Sequence, residues 1–221
     1  MAYLIDNTYF VRELRIPGLQ ELRSEVSELL GQFIDERSRV LLQEALGNDL
    51  FNEFDAFVQA DGTLNPSATQ KWLNLVNGTD YTSAGETYTW QGLIYTQGAF
   101  PKSLLAYYTY CFYLEDHVSE LSTMGVVQGK AKNSTALNPT QRYVKAWNNF
   151  VNLYQGDYYP YYDSYNRLPQ VTIKRGIPFY DYRGVEERSG FVSLLTFLNN
   201  NDSDYPDAPL KLYHYENQIG V

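Results

Sequence analysis

Cys111, His117 and His214 are the residues of this 221-residue chain whose types come nearest to nucleophile, general-base or metal-ligand chemistry. Cys111 and His117 lie six positions apart in a stretch with helical periodicity. At about 100° per residue they point well away from each other around the axis, which is poor geometry for a Cys-His nucleophile pair. Cys111 falls among apolar residues and is expected to pack, and His117 to be a surface or satisfied histidine. His214 sits alone in the tail, so no two- or three-histidine metal site arises from one chain. A single cysteine also rules out an internal disulfide and a Cys-based zinc site, and it fits a reducing compartment.

Carboxylates do not fill the gap. Asp61-Gly62-Thr63-Leu64-Asn65 has the start of a calcium-loop pattern but lacks the later glycine and terminal glutamate, so a turn between helices is expected. Asn199 to Asp204 is a second polar run with cation-binding residue types. Glu115-Asp116 and Glu186-Glu187 are sequence neighbours that do not converge on one atom. The chain has no phosphate-binding glycine loop, no Gly-x-Ser-x-Gly elbow and no dinucleotide fingerprint. The triplets at Asn77, Asn133 and Asn201 match the glycosylation pattern without a secretory context. No catalytic, cofactor-binding or metal-binding residue is therefore assigned.

The elements that would position such residues read as mainly α. From Ser24 an apolar face of Val26, Leu29, Leu30, Phe33, Ile34, Leu41 and Ala45 predicts a long helix capped by Gly47. Asp49 is expected to cap a second helix bearing Leu50, Phe51, Phe54, Phe57 and Val58. Asn65-Pro66 predicts the start of a third, ended by Asn77-Gly78. Alternation around Tyr88, Trp90 and Ile94 predicts a hairpin or ordered loop. Lys102 to Ser122 carries the strongest helical pattern, with Leu104, Tyr107, Tyr108, Cys111, Leu114, Val118 and Leu121 on one face and Thr109, Tyr113, Asp116 and Glu120 elsewhere. Its Tyr110 and Tyr113 side is expected to be available to a neighbouring subunit. A glycine-marked loop follows from Thr123, and Asn138-Pro139 opens a helix closed by Gly156. Residues 8 to 19 are expected to be extended or looped.

Beyond Gly156 the composition changes. Tyr158, Tyr159, Tyr161, Tyr162 and Tyr165 crowd a proline-containing tract, one strand is expected over Gln170 to Arg175, and one short helix over Gly190 to Asn199. An apolar tail with Leu210, Leu212, Tyr213 and Tyr215 ends the pattern. The expected organisation is a small helical bundle with a β-hairpin or loop insertion over residues 1–156 and an extended, Tyr-rich C-terminal arm over 157–221.

The chain has 21 Tyr and 11 Phe, and its charge is −9 from 17 Lys and Arg against 26 Asp and Glu. The tyrosines suit either contact surfaces or a tyrosine-rich core. The acidic balance disfavours sequence-specific nucleic-acid binding but suits a wall past which DNA slides without sticking. The N-terminus has neither the basic nor the apolar part of a signal peptide, and no run of eighteen apolar residues occurs.

The order of pieces resembles the head-tail connector, or adaptor, proteins of tailed bacteriophages, most narrowly the ring proteins of crAss-like phages. The resemblance rests on Leu46 to Phe51, the Trp72 helix ending at Asn77-Gly78, Trp90-Gln91-Gly92-Leu93, the Tyr-rich helix, the Gly125-Val126-Val127 break and the Trp147-Asn148 helix, over residues 5 to 156. It implies a non-enzymatic virion protein assembled in the host cytoplasm. Such a protein forms a ring, typically of twelve copies, below the portal and contacts the portal and further tail or ring proteins. DNA passes through it without sequence-specific binding, with no cofactor and no membrane. The extended tyrosine and leucine positions named above would then grip neighbouring subunits or the portal. The competing expectation is a Tyr-rich glycan- or protein-binding module of a phage tail or cell surface.

Overall fold

The computed structural model describes residues 3–16, 19, 24–118, 120–122, 125–127, 139–156, 171–174, 177–180, 191–209, 211–214 and 216. The fold is mainly helical with small antiparallel hairpins. Helix α1 spans Ser24–Leu46 and α2 Asn48–Asp55, joined at Gly47, whose φ of 80° places it in the region that favours glycine. Asp49 lies in the first turn of α2 rather than capping it. Helix α3 is Gln70–Asn77, four residues later than the Asn65-Pro66 signal suggests. Asn65 Oδ1 instead accepts from the Ser67 backbone N–H and hydroxyl, forming a local turn that competes with helix entry.

Two hairpins follow. Strands β1 (Thr79–Ser83) and β2 (Glu86–Trp90) pair from Thr79↔Trp90 to Ser83↔Glu86. Their two-residue turn has Ala84 at φ 52° and Gly85 at φ 84°, the handedness that matches strand twist. Strands β3 (Ile94–Gln97) and β4 (Phe100–Ser103) form the second. Gly78 and Gly92 bring the end of α3 against the β2–β3 link, backbone on backbone. A Cβ on Gly78 would lie 2.5 Å from the Trp90 carbonyl oxygen, and one on Gly92 2.5 Å from that of Val76. The Leu93 N–H and the Trp90 indole N–H both donate to the Leu75 carbonyl across this junction, at 3.1 and 2.9 Å.

Helix α4, Leu104–Val118, starts where the Ser103 hydroxyl accepts from the Leu105 N–H at 3.0 Å. Lys102 and Ser103 belong to β4, so the helix is shorter at both ends than its pattern suggests, and strands β5 (Glu120–Ser122) and β6 (Gly125–Val127) pair beyond it. Its side chains correct the amphipathic expectation. Every residue from Leu104 to Cys111 is buried, Thr109 included, and so is Tyr113. A helix that is apolar all round is one covered all round. It packs between α1 and α5, the latter spanning Pro139–Gln155 and ended by Gly156 at φ 60°.

The largest departure follows Gly156. Backbone strands β7 (Val171–Lys174) and β8 (Ile177–Tyr180) pair, the first matching the expected strand. The described residues from 191 onward do not form an extended arm, because they return to the core of residues 3–156. Ser193 caps helix α6 (Leu194–Asn200), and Val192 donates to the Thr89 carbonyl at 3.0 Å. Phe197 stacks on Trp90 with centroids 5.4 Å apart, and the buried Tyr205 donates to the Lys71 carbonyl at 2.5 Å. Further on, the Gln155 side-chain amide makes both backbone hydrogen bonds to Tyr213, at 2.9 and 2.7 Å.

Two outcomes follow for stability. Gly78→Ala and Gly92→Ala should each lose about 2 kcal/mol or more from positive φ and backbone overlap. Gly31→Ala, with nothing within 4 Å of its Cβ, should instead gain roughly 0.5–1 kcal/mol. Urea unfolding read by tryptophan fluorescence checks this, and similar effects at all three sites would contradict it. Phe197→Ala should cost about 3–5 kcal/mol in the same assay, as a core residue does; a loss below about 1 kcal/mol would restore the arm description.

Candidate functional site

The residues that first drew attention are inert or structural. Cys111 is buried with its Sγ 4.0 Å from the Tyr143 carbonyl, and burial, reinforced by the Glu115 charge, pushes its thiol far up, keeping it protonated. The His214 carbonyl accepts from the Trp147 indole at 2.7 Å, and its ring is on the exposed rim. The side chain of His117 lies outside the described residues. Asp61 Oδ1 accepts from the Thr63 hydroxyl and N–H at 2.7 and 2.9 Å, which lowers its pKa and explains the loop as a turn. Among the described residues no three His, Cys, Asp or Glu side chains are grouped to hold a metal ion. No described helix is long and apolar enough to cross a membrane.

The expected interface positions divide in the same way. Tyr110 and Tyr113 offer no surface: they are 1% and 5% exposed, Tyr110 against Arg142 and Tyr113 edge-on to Phe33 at 5.8 Å. Their expected availability to a neighbouring subunit is therefore corrected. Leu212 and Tyr213 pack against the core, and Tyr213 meets Phe150 and Tyr154 edge-on at 5.1 and 5.0 Å. Tyr158, Tyr159, Tyr161, Tyr162, Tyr165, Leu210 and Tyr215 lie outside the described residues.

What the fold does assemble is a cluster on a 3-10 turn, Arg12–Leu14, beside β4 and α5. Glu13 accepts from the Lys102 ammonium at 2.8 Å and from the Tyr107 hydroxyl, while Lys102 also donates to the Tyr107 oxygen at 3.2 Å. Partial burial alone would raise the Glu13 pKa, but the hydrogen bonds from Lys102 and Tyr107 and the Lys102 charge outweigh it and lower the value to about 2. Burial and the Glu13 hydrogen bond push Tyr107 well above its ordinary value, and burial takes Tyr95 to about 12. A carboxylate held ionised beside a phenol held protonated suits a structural tie; proton transfer near neutrality would need both pKa values moved the other way.

Next to this tie lies a cavity of about 170 Å³ lined by Arg12, Glu13, Arg142, Lys145, Ala146 and Asn149. Arg142, Lys145 and Asn149 follow one another at steps of three and four on α5, so they share a face. Arg12 joins them from a backbone held at φ 54°, its guanidinium 3.7 Å from the centre of the Phe100 ring. That is a left-handed conformation uncommon for a residue with a Cβ. Among the described residues no carboxylate lies within ion-pair distance of Arg12, Arg142 or Lys145. The α5 spacing was readable in the sequence, whereas the approach of Arg12 depends on the N-terminal turn folding against β4.

Compared with protein-family models, with curated proteins and with solved structures, the chain matches none.

The Glu13 tie makes stability pH-dependent. A folded-state pKa of about 2 against an ordinary 4.5 means the contribution is complete above about pH 4.5 and lost as pH falls toward 2. Discounted for partial exposure, Glu13→Gln should lower stability on the order of 2 kcal/mol at pH 7 and by almost nothing near pH 2. Paired denaturation curves across that range check it; a constant difference would rule the tie out.

Proposed function

We propose that this chain is a subunit of a head-tail connector ring of a tailed bacteriophage, a structural virion protein that joins the portal to the tail and continues the DNA channel. The observation that carries the reading is where the resembling segments sit. The Leu46–Phe51 junction, the Trp72 helix, the Trp90–Leu93 link, the Tyr-rich helix and the Trp147 helix contribute to one core around α4. A wedge of that kind acts by shape: it keeps a fixed angle between the surfaces it presents, and head-to-tail repetition closes a ring, twelve copies in this reading. Partners would be further copies, the portal and other tail or ring proteins. The net charge of −9 suits a channel that DNA crosses without adhering.

The glycan-binding alternative needs tyrosine faces open to solvent, and none of the described tyrosine side chains is exposed. The Glu13, Tyr107 and Lys102 tie, paired and fixed in its charge state, is what a scaffold rather than a proton-transfer site would hold.

Cryo-electron microscopy of the full chain mixed with a portal ring should show a closed annulus beneath the portal. A chain that stays monomeric and ignores the portal, with tryptophan fluorescence shifting on addition of glycan, would overturn the reading.

A further inference from the structure

The basic cavity lies near the start of α5, and an acidic turn follows α6, whose own start abuts the end of α5. The cavity is built on Arg142, Lys145 and Asn149 near the helix start, with Arg12 beside them. At the other end Gly156 abuts Ser193, the cap of α6, and the turn that follows α6 carries exposed Asp202, Asp204 and Asp207. The turn is held rigidly. Tyr205 is buried within it, the Asp204 and Tyr205 N–H groups both donate to the Asn201 carbonyl at 2.9 and 3.1 Å, and Asp207 is fixed at φ 64°. Presenting carboxylates on a fixed turn avoids the ordering cost a flexible segment would bring to an interface. From Arg142 to Gly156 is roughly 20 Å at 1.5 Å per residue and α6 spans only about half that, while Tyr205 ties the turn to Lys71, so one copy does not seat its own turn in its own cavity.

Building on the ring reading, we propose that the cavity lined by Arg12, Glu13, Arg142, Lys145, Ala146 and Asn149, whose one carboxylate is already paired with Lys102 and Tyr107, receives the Asp204–Asp207 turn of a second copy of this chain. Three cations without an ion-pair partner among the described residues stand out in a chain of net charge −9, and the complementary anions are on the same molecule. Patches that are complementary but lie on different parts of the subunit make a heterologous contact, the kind that repeats head to tail and closes when its rotation divides the circle. Exposed charge pairs individually add little affinity, so the contact sets register and partner orientation while neighbouring surface supplies the rest. Asn149 offers an amide donor to a carboxylate oxygen not taken by the arginines.

The test is sedimentation of the full chain at low and high salt. Wild type should associate with increasing concentration, less so at high salt. R142E/K145E and D204K/D207K should each weaken association by about tenfold or more. The chain carrying all four changes should recover it, and so should an equimolar mixture of the two reversed chains, where the intact turn meets the intact cavity and the reversed turn meets the reversed cavity. Because Arg142 also contacts Tyr110, Lys145→Glu alone, at an exposed position, serves as the variant least able to disturb folding, with thermal unfolding as the control. Association indifferent to the reversals, or a wild-type chain monomeric throughout, overturns this contact; an annulus still seen on the portal would leave the ring reading standing. Loss of binding to duplex DNA on cavity reversal, with self-association unchanged, would overturn it in favour of a phosphate-binding groove.

Discussion

Burying the first eight residues of α4, and Tyr113 after them, is the constraint from which the rest of the arrangement follows. Leu104, Leu105 and Ala106 need only cover, but the tyrosines at 107, 108, 110 and 113 bring four hydroxyls into or beside the core. A buried hydroxyl without a partner is costly, so each has to be led to the rim or matched. Tyr107 reaches Glu13 on the N-terminal turn, and Tyr110 is matched by Arg142 on α5. Thr109 Oγ1 stays buried without a hydrogen-bond partner, one of few such atoms among the described residues. Cover comes from α1 on one side and α5 on the other, with the N-terminal turns and β4 across the start of the helix.

The same solution recurs three times, at Tyr3, Tyr107 and Tyr213. Tyr3 donates to Asp55, which is ion-paired with Arg39, and the guanidinium lies 4.2 Å from the Tyr3 ring centre. Tyr107 donates to Glu13, paired with Lys102, whose ammonium is 5.8 Å from that ring. Tyr213 donates to Glu44, paired with Lys211, 5.1 Å from its ring. In each triad the ring contributes apolar area, the hydroxyl satisfies a carboxylate, and the cation neutralises that carboxylate while lying over the ring face. Phenylalanine would supply only the first of these. The triads tie residues 52, 94 and 169 positions apart in the chain. They therefore fasten both terminal regions to the central helices, and these three tyrosines mark where the core meets its edge.

Which parts were legible follows from how local their causes are. Helix α1 with Gly47, α5 between Pro139 and Gly156 and strand β7 are set by caps, period and turn residues within a few positions, and they lie where the sequence puts them, whereas the single hairpin or loop expected around Tyr88, Trp90 and Ile94 is two hairpins. Asn65-Pro66 misled because an Asn before Pro serves a turn as readily as a helix start, and Asn65 spends its oxygen on Ser67. The all-round burial of α4 was hidden by tyrosine itself, whose amphipathic character makes a fully covered helix resemble a half-covered one. The return of residues 191–214 to the core had no local signal, since its contacts reach back to Thr89, Trp90, Lys71 and Glu44. For the cavity, the step of Arg142, Lys145 and Asn149 could be read, but nothing in the sequence places Arg12 against them.

This changes what kind of assembly the connector reading requires. An extended arm tolerates variation in the angle between subunits, because its unstructured span absorbs the difference, and ring size then depends on an external template. Lys211, Tyr213, His214 and Glu216 are instead fastened to α1 and α5, Glu216 by a reciprocal pair of hydrogen bonds with Asn148 at 2.9 and 3.1 Å. On the connector reading, the surfaces so fastened would keep a fixed relation, and the rotation from one copy to the next would be a property of the folded subunit. Helix α4 would then matter to assembly without touching a neighbour: its burial holds α1 and α5 in place, and their placement would set the angle at which copies meet.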